Sequence, residues 1–355
     1  MKAMVLKKLC NLEGCEAPLD LEKLSDPVPR ENEILIEVSA CGVCHTELDE
    51  IEGRTPPPHL PVVPGHQVVG RVAGAGRGAK SLCAGERVGV AWIHSACGKC
   101  SYCLSGNENL CADFKATGRD ANGGYAEYMT VREDFAHRIP DAFSDVEAAP
   151  LLCAGAVGYR SLRLANLTDG RNLALTGFGA SGHLVLMMAK HLYPRSKVFA
   201  FSRSPEERSF ALELGAAWAG DIGERPPEFL AAIIDTTPAW KPLVDALACL
   251  EPGGRLVINA IRKEDRDKEQ LLRLDYPSHL WMEKEIRSVA NVTRADVRDF
   301  LRLAAEIPIK PEVEELALED ANRALIELKA RKIRGAKVLV IAKRREARKT
   351  GRRME

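Results

Sequence analysis

Hydrophobic and polar positions alternate in short runs from Lys2 to about Pro140, and Gly and Pro break those runs. Ile34 to Val38, Val68 to Val72, Arg87 to Ala91 and Tyr125 to Val131 each read as a strand, which predicts an all-β unit. After Ala154 the texture changes. Strand-like runs at Asn172 to Thr176, Val198 to Ser202, Ala231 to Asp235, Arg255 to Asn259 and Ile286 to Ala290 alternate with helix-like segments. That alternation predicts βαβ units on a parallel sheet. Arg294 to Glu306 reads as a further helix, and Ala317 to Val340 returns to a mixed helix and strand pattern.

At 355 residues the chain is long enough for two domains of roughly 150 each. Its longest apolar run, Leu184 to Ala189, falls far short of the roughly 20 residues a membrane-spanning helix needs. The N-terminal MKAMVLKKLCNLEG lacks the apolar core of a signal peptide, so a cytoplasmic protein is expected. Lys plus Arg and Asp plus Glu number 50 each, so no global field draws the chain to nucleic acid or an anionic membrane. The last stretch, AKRREARKTGRRME, departs from this balance with seven basic and two acidic residues. It is expected to be a solvated, frayed tail, with nucleic-acid contact as the lesser alternative.

Eleven cysteines are too few for a disulfide scaffold, and their spacing points to metals. Cys97, Cys100, Cys103 and Cys111 follow C-x2-C-x2-C-x7-C. Four thiolates can enclose one tetrahedral ion with no position left for water, the structural zinc type, and an iron–sulfur cluster is the competing reading. Cys44 in ACGVCHTELD, His66 in PGHQVVG and Cys153 in APLLCAGAVGY lie among glycines that permit close backbone approach. Two Cys and one His would leave a fourth position open to water or substrate. Cys41, three residues before Cys44, offers a redox C-x-x-C as the alternative.

Leu173 to Thr176 leads into Gly177-Phe178-Gly179-Ala180-Ser181-Gly182, which opens an apolar helix. A G-x-G-x-x-G between strand and helix predicts a dinucleotide site with the pyrophosphate on the helix N-terminus. The next strand ends at Ser202-Arg203, with Arg208 nearby, where an acid would hold the ribose of NAD. Without that acid a 2′-phosphate is not repelled, and a guanidinium binds one bidentately, so NADP(H) is favoured over NAD(H). Ser204-Pro205-Glu206-Glu207 reads as a helix capping box.

Taken together, GVCHTEL, PGHQVVG, the four-cysteine loop, LLCAGAVGY and GFGASG resemble the zinc-dependent alcohol dehydrogenases of the medium-chain dehydrogenase/reductase superfamily. The resemblance runs from MKAMVL to about Val340. It implies an α/β fold: a GroES-like β-rich catalytic domain over residues 1–153 with a structural zinc lobe, a Rossmann coenzyme-binding domain over 154–292, and a return to the catalytic domain over 293–341. It implies Cys44, His66 and Cys153 as ligands of a catalytic zinc, beside a second, structural zinc. Thr46 matches the hydroxyl that relays the alcohol proton, Glu47 a carboxylate that orients His66, and His45 a position facing the pyrophosphate. Trp92 and Ile93 match the wall of the substrate pocket. Two departures stand out: Gln67 follows the ligand histidine where the family usually has Glu, and Asp49 stands where the relay often ends in His. A carboxylate is a poorer base near neutrality than imidazole, so a different pH dependence is expected. The implied activity is reversible NAD(P)-linked oxidation of a primary or secondary alcohol to an aldehyde or ketone, by a homodimer or homotetramer. Polyol, amino-alcohol and acyl-CoA-linked dehydrogenases of the superfamily are the alternatives within enzymes. Outside enzymes, the alternative is a non-catalytic, zinc-stabilised binding protein.

Overall fold

The computed structural model describes residues 1–307, 309–330 and 335–341. The basic tail, residues 342–355, lies outside the described residues.

The alternating runs of the first third form β1 (Lys2–Val5), β2 (Asp20–Lys23), β3 (Glu33–Val43), β4 (Gln67–Ala75) and β5 (Arg87–Val90). They continue as β6 (Ile93–Ser95), β7 (Lys115–Ala116), β8 (Tyr128–Arg132) and β9 (Ala136–Arg138). In β3, Ile34, Ile36 and Val38 are buried while Glu37 is exposed, the period of two that a half-buried strand requires. Three short helices interrupt the strands: α1 (His45–Ile51), α2 (Ser101–Leu104) and α3 (Asp145–Pro150). The period of two does not announce α1. Its residues Thr46 to Ile51 are all buried, three of them acids.

Beyond a π-helical turn at Leu151–Gly155 come α4 (Ala156–Ala165), β10 (Leu173–Thr176), α5 (Ala180–Leu192), β11 (Val198–Phe201) and α6 (Pro205–Glu213). Next are β12 (Trp218–Gly220), β13 (Leu230–Asp235), α7 (Lys241–Leu247), β14 (Leu250–Ile258) and β15 (Glu285–Ser288). These six strands make one parallel sheet in the order β12-β11-β10-β13-β14-β15. β10 and β11 are buried at all four positions, which explains their unbroken apolar sequence. The order runs outward in opposite directions from β10 and β13, so a crevice opens where they part, beyond their carboxyl ends.

The chain then returns through α8 (Arg294–Glu306), β16 (Val313–Ala317), α9 (Ala321–Lys329) and β17 (Ala336–Val340). β17 pairs antiparallel with β3 and completes a sheet ordered β16-β17-β3-β4-β5-β9, with β8 also on β3. At the crossing between the two units, Arg160 and Arg163 of α4 both donate to Asp296 of α8, at 2.5 and 2.6 Å. Among the described residues no helix is long and apolar enough to cross a membrane.

Candidate metal centres and coenzyme crevice

Three chain positions far apart in sequence converge. Cys44 is the extended residue that caps the N-terminus of α1. His66 immediately precedes β4, behind Gly65 at φ +97, where a Cβ would lie 2.3 Å from the Tyr125 ring. Cys153 lies inside the π turn, which follows Pro150, a residue with no N–H to continue a regular ladder. The Cys44 and Cys153 sulfurs are 3.9 Å apart, and one ligand atom of each residue falls within 4.8 Å of the others.

Glu47 organises this trio from one turn into α1. One of its oxygens accepts from the Cys44 amide at 2.8 Å, and the other meets His66 Nδ1 at 2.5 Å. His66 Nε2 is buried and has no hydrogen-bond partner. A buried imidazole fastened on one nitrogen and bare on the other, facing two sulfurs, fits a metal ligand held by a carboxylate behind it. The hydrogen bond from the Cys153 thiol holds Cys44 well below the ordinary thiol range, and Cys44 in turn pushes Cys153 up.

The second cluster is local. Cys97, Cys100, Cys103 and Cys111 bring their sulfurs within 4.8 Å of one another around α2. The Cys100 amide points at the Cys97 sulfur at 3.4 Å. Backbone amides of Lys99 and Cys100 bring the Cys97 thiol down to about 6, and burial pushes Cys103 up to about 12. A closed set of four sulfurs fits a structural metal. Cys41 belongs to neither group. Its side chain is fully buried in the sheet core, with the thiol on the Gly42 carbonyl at 3.7 Å and raised well above its ordinary value by burial.

The crevice carries the dinucleotide turn. Gly177 has φ +82, and a Cβ there would lie 2.6 Å from Thr236 Oγ1. Gly182 packs against the Gly177 carbonyl, where a Cβ would come to 2.8 Å, whereas a Cβ on Gly179 would meet nothing within 4 Å. The middle glycine therefore faces open space at the N-terminus of α5, where Ala180 and Ser181 begin the helix and no side chain caps it. At the end of β11, Ser202 is buried and its hydroxyl donates to Glu207 at 2.5 Å. Arg208 is tied to the Ser202 carbonyl at 2.7 Å, while Arg203 is exposed. Glu207 is the feature that a reading of the β11 end alone misses: the first turn of α6 brings a carboxylate back beside Ser202.

Around the metal trio, Thr46 is 8% exposed with its hydroxyl 3.7 Å from the Cys44 sulfur, and His45 is exposed. Asp49 is buried and already engaged: one of its oxygens accepts from Arg54 Nε at 2.5 Å and from Arg262 Nε at 3.0 Å. Trp92 packs against Phe114 at 5.4 Å between centroids and lies under the Arg119 guanidinium, also at 5.4 Å. Ile93, 5% exposed, packs within the core of the β-rich unit. The position after His66 is Gln67, whose side chain lies over Gly42. One turn beyond Glu47, Glu50 is buried with an unpartnered oxygen, and burial raises its carboxyl well above the usual range. Sequence reasoning passed over Glu50, Arg54, Arg119 and Arg262. Only an excess of acids in α1 signalled that cations must come from elsewhere.

Residues 30–141 match the family described as alcohol dehydrogenase GroES-like domain. Over 334 residues the chain is 43% identical to a protein of Mycobacterium tuberculosis named probable alcohol dehydrogenase AdhA, covering 91% of this chain and 94% of that one. An alcohol dehydrogenase of Geobacillus stearothermophilus is 33% identical over 348 residues, covering 96% and 98%. A solved cobalt- and zinc-bound thermostable alcohol dehydrogenase from Pyrobaculum aerophilum superimposes with a TM-score of 0.82 at 26% identity, covering 96% and 99%. With the metal trio, the four-sulfur loop and the glycine turn in one chain, these likenesses agree: it belongs to the zinc-dependent alcohol dehydrogenases of the medium-chain dehydrogenase/reductase superfamily, oxidoreductases that interconvert alcohols and carbonyl compounds with a nicotinamide coenzyme.

Proposed function

We propose that Cys44, His66 and Cys153 hold the catalytic zinc, that Cys97, Cys100, Cys103 and Cys111 hold a structural one, and that each chain carries two. The observation that carries this reading is the bare, buried Nε2 of His66 beside two sulfurs, with Nδ1 fastened to Glu47. When bound, the catalytic zinc supplies Lewis acidity toward the substrate oxygen, and the coenzyme supplies the partner for hydride exchange. The chain's own residues do the rest. Glu47 fixes the imidazole, and Thr46 takes the substrate's hydroxyl proton and passes it outward, with Asp49 next on the path. Trp92 limits the width of the pocket, while Ile93 backs it from the core. His45 and the amides after Gly179 receive the pyrophosphate. Bringing both guests between two units replaces bulk water with fixed groups and orients the reacting atoms.

The division into residues 1–153, 154–292 and 293–341 follows the same reading, as do residence in the cytoplasm and assembly into dimers or tetramers. For the coenzyme we favour NADP(H). The support is Arg203, exposed at the end of β11; the Glu207 carboxylate beside Ser202 keeps its charge and weighs the other way. Metal analysis and fluorescence titration with NADPH and NADH test the whole. Two zinc ions per chain and tighter NADPH are expected, and Cys44→Ser loses one metal with the fold intact. One metal per chain, or tighter NADH, overturns the corresponding part.

A further inference from the structure

The loop that follows β14 is anchored twice to the loop that follows β13. Lys263, almost buried, donates to the Asp235 carboxylate and to the carbonyls of Thr237 and Ala239 at 2.8 and 2.9 Å. Four residues on, Asp267 accepts from the amides of Trp240 and Lys241 at 2.9 and 2.8 Å. All three donors of Lys263 are thus used inside the parallel-sheet unit, and the backbone at position 263 has little freedom. Arg262, its immediate neighbour, does not join this network. Its guanidinium leaves the unit, crosses the cleft, and donates to Asp49 Oδ1 at 3.0 Å.

Asp49 lies three residues beyond Thr46 on the helix that Cys44 caps, and its side chain is 7% exposed against 28% for Arg262. Among the described residues, ion pairs join the parallel-sheet unit to the rest of the chain at two places. One is the crossing of α4 and α8, where Arg160 and Arg163 hold Asp296. The other is Arg262 on Asp49. The first lies where the chain passes between units, and the second spans the crevice they enclose. Arg54 holds Asp49 from its own side at 2.5 Å, so the carboxylate is a fixed post and not a mobile partner.

The geometry points to Arg262 as a positioning residue: through Asp49 it sets the spacing of the two cleft walls beside the metal trio, and so the readiness of the crevice to take coenzyme. This rests on the proposed reading of the cleft. If only a fraction of molecules has the walls at working distance, the apparent dissociation constant of the coenzyme rises by the inverse of that fraction. Removing Arg262 lowers that fraction. The loss therefore falls on the dissociation constant of the coenzyme, which direct titration reads apart from any effect on the proton path at Asp49.

The test uses zinc-loaded, full-length protein and direct fluorescence titration with NADPH and NADH, beside steady-state kinetics on an alcohol. Arg262→Gln is expected to raise the dissociation constant and KM of both coenzymes about fivefold. Asp49→Asn should do the same to the dissociation constants, and the double variant should do no more, because both changes cut one link. Arg262→Lys, which keeps the charge with a shorter reach, should fall between. Thermal unfolding and zinc content check that each variant is folded. Unchanged coenzyme affinity in folded Arg262→Gln overturns the inference, as do single effects that multiply in the double variant. Wild-type protein that binds neither coenzyme overturns the reading of the crevice itself, a different and separable outcome.

Discussion

Gly155→Ala is a sharp test of how the turn that carries Cys153 is packed. Gly155 has φ −70 and ψ −52, ordinary helical angles, at the point where the π turn carrying Cys153 passes into α4. By helix propensity alone, alanine here should stabilise by about 0.5–1 kcal/mol. Space reverses the sign. A Cβ would sit 2.3 Å from Phe300 Cζ and 2.4 Å from Cε1. Optimal carbon–carbon separation is about 3.5–4.0 Å, so more than an ångström must be found. Phe300 is 0% exposed within the core built on α8, and its ring has no route to solvent. Overpacking of this kind costs about 1–3 kcal/mol. Net of propensity, a destabilisation of about 1–2 kcal/mol is expected. Movement of the turn should also weaken metal binding at Cys153, two residues earlier. Equilibrium urea unfolding of wild type, Gly155→Ala, Phe300→Ala and the double variant measures it. Phe300→Ala alone should cost about 3–5 kcal/mol by leaving a cavity. In that background the methyl has room, and Gly155→Ala should become neutral or stabilising. Strictly additive effects, or a Gly155→Ala protein more stable than wild type, would refute the packing argument.

Two further predictions concern single side chains. Glu47→Gln keeps the shape but weakens the acceptor behind His66, so zinc affinity at the catalytic site should drop about 10- to 100-fold in chelator competition while the four-cysteine metal stays bound; equal loss from both sites would show that Glu47 acts on the fold and not on His66. Burial, with Arg294 and Arg298 nearby, brings the His137 imidazole down from 6.5 to about 4. The unfolded chain then takes up a proton below about 6.5 that the folded chain refuses until about 4, so stability should fall as pH drops through that window. Urea midpoints at pH 7 and pH 5 should converge in His137→Gln, and an unchanged gap would remove His137 from the acid sensitivity.

The amino-acid order was enough to announce the two textures of the chain. The short apolar run Val198–Phe201, rich in β-branched and aromatic residues, is a strand buried on both faces, and Ile34, Ile36 and Val38 alternate because one face of β3 meets solvent. The clustering of the four-cysteine loop was equally plain, since its cysteines lie within 15 residues and local spacing fixes their encounter. So was the glycine turn between β10 and α5. Helix α1 was not, because its buried acids answer to His66 and to arginines elsewhere in the chain, not to any local period.

Cys44, His66 and Cys153 span 110 residues, and their own neighbours in the chain say little about meeting. The family resemblance of their motifs suggested that they do, and the packing of α1, β4 and the π turn brought them together. Tertiary structure alone returned Glu47 onto His66, brought Glu207 back beside Ser202, set Ile93 in the core, and brought Arg262 onto Asp49. Hydrophobic period and turn chemistry act between near neighbours and are written in the order of residues. Which buried charge meets which is settled only when separate elements are pressed together and each polar group must find a partner away from water.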